Sequence, residues 1–186
     1  MEIKTSFYSE EELQAIGFKS IGDNVLISRN ATFYSPETIS IGNNVRIDDF
    51  CILSGNIKIN NNIHISAYCA LYGGGTILME DYSGLSPRCT LLSATDDFSG
   101  EYMVGACVDD KYRNVIKGII SVGRFVQIGA GTMILPNVKI EEGCAVGAMS
   151  LVNTNLPEWS ICFGIPAKKV KERKQNILTY LANSPS

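Results

Sequence analysis

Histidine is the scarcest catalytic residue in the chain: His64 is the only one in 186 residues. A metal centre built on three imidazoles is therefore out of reach for a single subunit. Six cysteines are present but no CxxC pair, which argues against a zinc ribbon or a dithiol redox motif. Neither sign of charge dominates. Sixteen Lys and Arg against nineteen Asp and Glu give a net charge of −3, with the basic residues scattered until a cluster near the C-terminus. Such a balance offers no general attraction to nucleic acid or an anionic membrane. No apolar run reaches the length of a membrane span, and Met1-Glu2-Ile3-Lys4 lacks the apolar stretch of a signal peptide. The expected compartment is the cytoplasm. A 45% hydrophobic fraction argues for one folded domain rather than disorder.

What the chain does have is a period of six. Ile41, Ile47, Leu53, Ile59, Ile65, Leu71 and Ile77 fall at every sixth position, and so do Val122, Ile128, Ile134, Ile140, Val146 and Val152. Shorter trains run through Ile21, Ile27, Phe33 and Ile39, and through Met79, Leu85 and Leu91. The residue after the aliphatic is often glycine (Gly22, Gly42, Gly123, Gly129, Gly147), which suits a turn needing positive φ or close backbone approach. Four residues after each aliphatic stands a small or β-branched side chain. Both positions are expected to face inward, being separated by an even number of residues. Cys51, Cys69, Cys89 and Cys144 take that small slot, where a thiol serves as a small hydrophobe. Cys107 and Cys162 lie off the repeat. Three six-residue faces per coil close a triangular prism, each coil adding about 4.8 Å of height.

This pattern resembles the left-handed parallel β-helix of the hexapeptide-repeat transferases over residues 20–170. It is most similar to the galactoside, maltose and xenobiotic acetyltransferases and to sugar acetyltransferases of bacterial surface-polysaccharide pathways. The most specific segment is Val146-Gly147-Ala148-Met149-Ser150-Leu151-Val152, followed by Phe163-Gly164-Ile165-Pro166-Ala167-Lys168. The fold expected is all-β: an extension with a short helix over 1–20, a β-helix over 21–167 interrupted by a protruding loop at 96–118, and a C-terminal helix and tail over 168–186. Ser9-Glu10-Glu11-Glu12 reads as a capping box opening the first helix, which Gly17 could end. Val170, Ile177 and Leu181 suggest an apolar stripe on the second, covering the end of the prism. The loop, rich in acids and aromatics, is expected to be an active-site arm or else a solvated excursion.

The resemblance implies acetyl transfer from acetyl-CoA to an amino or hydroxyl group of a sugar or sugar nucleotide, by a homotrimer, with no metal. Pantetheine would contact backbone near Gly129, Ala130, Gly147 and Ala148. Ile165 and Pro166 would border the adenine, and Lys168 or Lys169 would meet a CoA phosphate. In galactoside and maltose enzymes a histidine opening the loop is the base. Alignment through Leu85-Ser86-Pro87-Arg88-Cys89-Thr90-Leu91 puts Asp96 there instead. Three readings follow. Asp96 or Asp97 acts as the base, with one carboxyl raised by its like-charged neighbour. Or the acceptor is an amine, which asks less of a base. Or His64, expected to point outward, reaches the site from an adjacent subunit. Glu101, Tyr102 and Arg113 are candidates to hold the acceptor. A γ-class carbonic anhydrase is excluded by the single histidine. The helical domain of serine acetyltransferases and the nucleotide-binding domain of bifunctional uridylyltransferases have no counterpart in 1–20. The rival of a different class is a non-catalytic β-helix, a binding or scaffold protein that has lost the family's base.

Overall fold

A computed structural model describes residues 6–182. Its parallel strands stack into three faces, and every coil visits them in the same order. The first face carries Ser20–Ile21, Ile39–Ile41, Ile119–Val122, Val138–Ile140 and the far ends of Ile52–Ile59 and Ala70–Met79. On the second run Leu26–Ile27, Val45–Ile47, Ile63–Ile65, Gly84–Leu85, Gln127–Ile128, Ala145–Val146 and Ser160–Gly164. Thr32–Tyr34, the near ends of the two long strands, Thr90–Leu92, Met133–Ile134 and Leu151–Val152 form the third. This is the expected left-handed β-helix, about seven turns long.

The period of six produces this because each aliphatic is the inward residue of one face. Ile47, Leu53, Ile65, Leu71, Leu91, Val122, Ile134, Ile140 and Val152 are all fully buried. Full burial of each such side chain stabilises the fold by about 1.5–3 kcal/mol, so the stack of aliphatics is the dominant favourable term. The break between Ile77 and Met79 is a two-residue insertion. At the glycine corner 73–75 the register slips, so that Ile57 pairs with Ile77 and Ile59 with Met79.

The corners differ from the sequence expectation in an instructive way. The glycine after the aliphatic does not adopt positive φ; it sits where a side chain would strike the next coil. A Cβ on Gly42 would lie 2.7 Å from the Asn60 carbonyl oxygen, and one on Gly129 2.5 Å from the Ala148 nitrogen. Positive φ falls two residues later, on Asn24, Asn44, Phe50, Asn62, Tyr68, Tyr82, Arg88, Phe125 and Met149. That left-handed residue turns the chain onto the next face. The aliphatic and the small residue four positions on are therefore on different faces, and both point inward because of the corner, not because of strand alternation.

The small slot also does more than fill space. Cys51 Sγ lies 3.1 Å from the Ser66 carbonyl oxygen, Cys69 Sγ 3.2 Å from that of Ser86, and Cys89 Sγ 3.3 Å from that of Gly129. Thr132 Oγ1 continues the series to Gly147 at 3.1 Å. A hydroxyl can take the place of a thiol here because either can donate to the corner of the next coil. Cys162 joins this interior, 3.9 Å from Cys144, whereas Cys107 is exposed on the loop. Burial pushes the Cys144 thiol up to about 12, so it carries no thiolate chemistry at neutral pH.

The N-terminal helix forms as its sequence requires. In Glu10–Ile16, Ser9 and Glu12 make both arms of a capping box and Gly17 ends the helix at φ 82°. Leu13 is buried against the first coil, and Glu12 pairs with Arg29 through both carboxylate oxygens. The C-terminal expectation is corrected. Residues 168–172 are not helical: Ala167–Glu172 is a strand antiparallel to Ser160–Gly164. The last coil leaves an open row of N–H and C=O groups, and a strand returning through Ile165-Pro166 can pair with it where a helix could not. Among the described residues of this segment, the helix is Ile177–Ala182.

Candidate active site

The chain leaves the third face at Ser93 and returns to the first at Gly118. Ser93 is fully buried; its Oγ accepts from the Gly75 N–H at 3.0 Å and donates to the Tyr72 carbonyl at 2.9 Å. Its carbonyl takes the Gly118 N–H at 2.8 Å, and the Gly118 carbonyl takes the Thr76 N–H at 3.1 Å. A Cβ on Gly75 would sit 2.6 Å from the Ser93 oxygen and 2.8 Å from the Gly118 nitrogen. The excursion is thus rooted on a glycine that nothing larger can replace without moving the root.

Above that root the excursion is an ordered hairpin. Ala94–Asp96 pairs antiparallel with Val115–Lys117, and Asp96 stands opposite Val115. This pairing brings Arg113 onto Asp96, with Nη2 to Oδ1 at 3.2 Å and both side chains largely buried. The other carboxylate oxygen accepts from the Gly105 N–H at 3.3 Å. Arg113 also reaches Asp110 at 3.2 Å, while its buried Nε has no partner among the described residues. Arg113 is thus committed to Asp96 as well as being a candidate for the acceptor. Glu101 and Tyr102 are exposed near the hairpin tip.

Asp97 behaves as a turn residue. Its Oδ1 accepts from the Ser99 N–H at 2.8 Å and its Oδ2 from Asn114 Nδ2 at 3.0 Å. These bonds, the Ser99 backbone first, hold its carboxyl below the usual range. That is the reverse of the rise expected from like-charge repulsion, and a carboxyl lowered in this way is a weaker base at neutral pH.

His64 points outward from the second face, as its place in the hexad requires. Its Nε2 lies 2.7 Å from Asp48 Oδ2, and Arg46 Nε holds the other oxygen of Asp48 at 2.7 Å. Burial raises the Asp48 carboxyl, but the bonds from Arg46 and His64 outweigh it and leave the group below its ordinary value. No contact joins His64 and Asp96 among the described residues: His64 stands on the second face, and Asp96 on the hairpin that leaves the prism from the third.

Beside His64 the second face is notched. The outward row reads Arg46, His64, Gly84, Gln127, Ala145 from coil to coil, so Gly84 leaves a gap between two long side chains. The resulting groove, about 240 Å³, is lined by His64, Ser66, Tyr82, Ser86 and Gln127 among others. Sequence reading missed it. The signal was a glycine at an outward position, where the prism needs none.

The cofactor positions separate into two kinds. Gly129 and Gly147 are demanded by coil packing, since a Cβ on Gly147 would meet Phe163 Cβ at 2.7 Å. Ala130 is half-buried and Ala148 exposed, and their small side chains keep this corner low enough for a slender ligand such as pantetheine to pass along it. At its end Ile165 and Pro166 are exposed. Lys169 is paired with Glu172 at 2.5 Å; Lys168 has no acidic partner among the described residues and stands opposite Phe163. These residues fit an acyl-CoA.

A seven-coil prism of hexapeptide repeats with a rooted hairpin is the architecture of the hexapeptide-type acyltransferases. Comparison with known proteins agrees. Residues 120–154 match the bacterial transferase hexapeptide (six repeats) family. A dTDP-4-amino-4,6-dideoxy-D-glucose acyltransferase of Escherichia coli is 42% identical over 176 residues, 93% of this chain and 92% of that protein. AntD, an N-acyltransferase from Bacillus cereus solved with dTDP and 3-hydroxybutyryl-CoA, is 50% identical with a TM-score of 0.92, covering 96% of each chain. The acetyltransferase domain of PglB from Neisseria gonorrhoeae, 18% identical at TM-score 0.61, shares the fold. The chain belongs to the hexapeptide-repeat transferases, and to the CoA-dependent acyltransferases among them. Relatives that match over nine-tenths of the chain are enzymes, which displaces the reading as a non-catalytic scaffold.

Proposed function

We propose that the protein moves a short acyl group, acetyl in the simplest case, from acyl-CoA to the amino group of a dTDP-linked amino-dideoxy sugar. The observation that carries this is Asp96, a hairpin-held carboxylate at the position where hydroxyl-acylating members of the fold use histidine. A sugar hydroxyl needs a base as it attacks; a neutral amine does not. Its lone pair adds to the thioester carbonyl, the N–C bond forms, the C–S bond breaks, and the nitrogen's proton ends on the departing thiolate. Asp96 accepts a hydrogen bond from the amine and orients it for attack. Similarity to the amino-sugar enzymes of E. coli and B. cereus supports the same acceptor class.

The working assembly in this reading is a homotrimer, in which the Asp96 hairpin of one subunit closes over the His64 groove of the next. Ile119, Met133 and Tyr72, all outward and substantially exposed, suit such burial. A mass of three chains by light scattering is expected; an active monomer would remove the shared site. A cytoplasmic role in supplying acylated sugars to a surface polysaccharide accords with a nucleotide-linked acceptor. Among the described residues no helix is long and apolar enough to cross a membrane.

The deciding assay pairs dTDP-4-amino-4,6-dideoxyglucose with its 4-hydroxy counterpart and follows thiol release from acetyl-CoA. Turnover of the amine and little of the alcohol is expected. Preference for the alcohol, abolished by His64→Ala, would transfer the base to His64.

On the cofactor side, Lys168→Ala should weaken acyl-CoA binding about tenfold, the loss of one charge-assisted phosphate contact. Lys169→Ala should do less, because Glu172 already neutralises that ammonium. Calorimetry with CoA and with dephospho-CoA checks both. Equal affinities for wild type and both variants would move the phosphate elsewhere.

A further inference from the structure

The hairpin carries a sheltered charge pair, and its local sequence explains how. Past the last ladder pair, Asp96 opposite Val115, the Asp97 N–H still reaches the Asn114 carbonyl at 2.9 Å. On the returning arm Asp109 caps the short turn Asp110–Tyr112, its Oδ1 accepting from the Lys111 N–H at 3.2 Å. The Arg113 N–H closes that turn on the Asp110 carbonyl at 3.1 Å. Arg113 is thereby delivered two residues along from Val115, on the same face of the ribbon as the Asp96 pair. The Arg113 and Asp96 side chains are 16% and 19% exposed, whereas the neighbouring Lys111–Asp109 pair is 63% and 57% exposed.

An ion pair this sheltered is a poor device for stability alone. Attraction repays the removal of two charges from water only when the geometry is excellent. Here a single Nη2–Oδ1 contact at 3.2 Å stands where a bidentate fork could, and the Arg113 Nε is a buried donor with no partner among the described residues. The arrangement does suit Asp96. Arg113 occupies one accepting position on Oδ1, and the Gly105 N–H occupies one on Oδ2 at 3.3 Å. A carboxylate offers about four such positions, so it is gripped at both oxygens and can still accept from an amine. Without the guanidinium the carboxylate would be left sheltered and uncompensated, and would turn toward water.

We propose that Arg113 is a positioning residue of the acyl transfer. It acts through Asp96, keeping that carboxylate inside the hairpin and aimed at the amine, and does not itself touch the acceptor. Its second partner, Asp110, is 97% exposed and adds little, as surface ion pairs do. This inference rests on the role proposed for Asp96 in orienting the acceptor.

The test is a double-mutant cycle of Arg113→Met and Asp96→Asn, read by steady-state kinetics on the amino sugar. Alone, Arg113→Met should lower kcat/KM by roughly tenfold or more, with the KM for acyl-CoA unchanged. Beside Asp96→Asn the same substitution should cost under about twofold, because the group it positions is no longer there. Arg113→Lys keeps the charge but not the fork, and should recover all but about threefold. Asp110→Ala should stay within about twofold of the wild type. An equal loss from Arg113→Met in both backgrounds overturns the proposal, since the guanidinium would then serve the acceptor or the fold directly. Wild-type turnover in Arg113→Met overturns it as well. So does a loss in Asp110→Ala as large as that in Arg113→Met, which would make Arg113 a clasp of the hairpin tip. Should circular dichroism show Arg113→Met unfolded, Arg113→Lys takes its place in the cycle, and a loss that persists beside Asp96→Asn overturns the proposal. The acceptor reading fails separately. A wild type that acylates the 4-hydroxy sugar and not the amine would sink it, and the same cycle on the hydroxy sugar would still read whether Arg113 works through Asp96.

Discussion

Asp96→Ala should lower kcat/KM for the amino sugar by about a hundredfold, with the change in both kcat and acceptor KM. A hundredfold is the low end of what a positioned acid–base group contributes, since an amine asks for orientation more than for proton removal. The affinity for acyl-CoA should not move, because Asp96 acts on the amine, whereas Lys168 and the alanine corner are the groups assigned to the cofactor. Asp97→Ala separates the two carboxylates. Its oxygens are occupied by Ser99 and Asn114 and its carboxyl is held low, so its loss should cost only a few-fold through a loosened turn. Asp96→Asn is the finer probe. Its oxygen can still accept from the Gly105 N–H, but the charge facing Arg113 is gone. Steady-state kinetics with both substrates, alongside circular dichroism, reads all three. Equal losses for the Asp96 and Asp97 variants would mean that the hairpin acts as a unit and that neither carboxylate touches the amine.

The prism was legible because its cause is periodic. Each aliphatic from Ile41 to Ile77 and from Val122 to Val152 reports one inward position, and an error at one coil is corrected by the next. The N-terminal helix was legible for a local reason: Ser9, Glu12 and Gly17 hold its capping groups within nine residues. The C-terminal strand was not. Val170, Ile177 and Leu181 carry a helical spacing, and what overrode it was the open edge of Ser160–Gly164, a property of the stacked coil and not of the segment. The corners misled for a related reason. Glycine suggested positive φ, but the constraint on Gly42 and Gly129 is a neighbour a whole coil away, and the left-handed turn is borne by Asn44 or Phe50 instead. At the site, Asp96 could be placed by its offset from the repeat, whereas the Arg113 partnership depends on hairpin register. The groove at Gly84 depends on which residues stack across three coils. Both are contacts between distant parts of the chain, which a single-sequence pattern does not encode.

The hairpin's root yields the sharpest separation of catalysis from folding. Gly75→Ala should reduce amine acylation by about a hundredfold while leaving the β-helix assembled. The added methyl meets the Ser93 oxygen and the Gly118 nitrogen, backbone atoms at the base of the hairpin that cannot rotate away as a side-chain tip would. Relief requires the base to shift, and a displacement of about 1 Å at a positioned group can cost a hundredfold in rate. Overpacking of this kind destabilises by about 1–3 kcal/mol, which for a chain of this size lowers the thermal midpoint by roughly 2–12 °C. The protein should therefore remain folded at assay temperature. Acyl-CoA affinity serves as the internal control, since the alanine corner and Lys168 belong to coils beyond the hairpin. Ser93→Ala provides the second variant. It removes the acceptor of the Gly75 N–H and the donor to Tyr72 without adding bulk, and should produce a smaller loss in the same direction. Full activity in a folded Gly75→Ala protein would show that the hairpin's placement is immaterial, and with it the role given to Asp96.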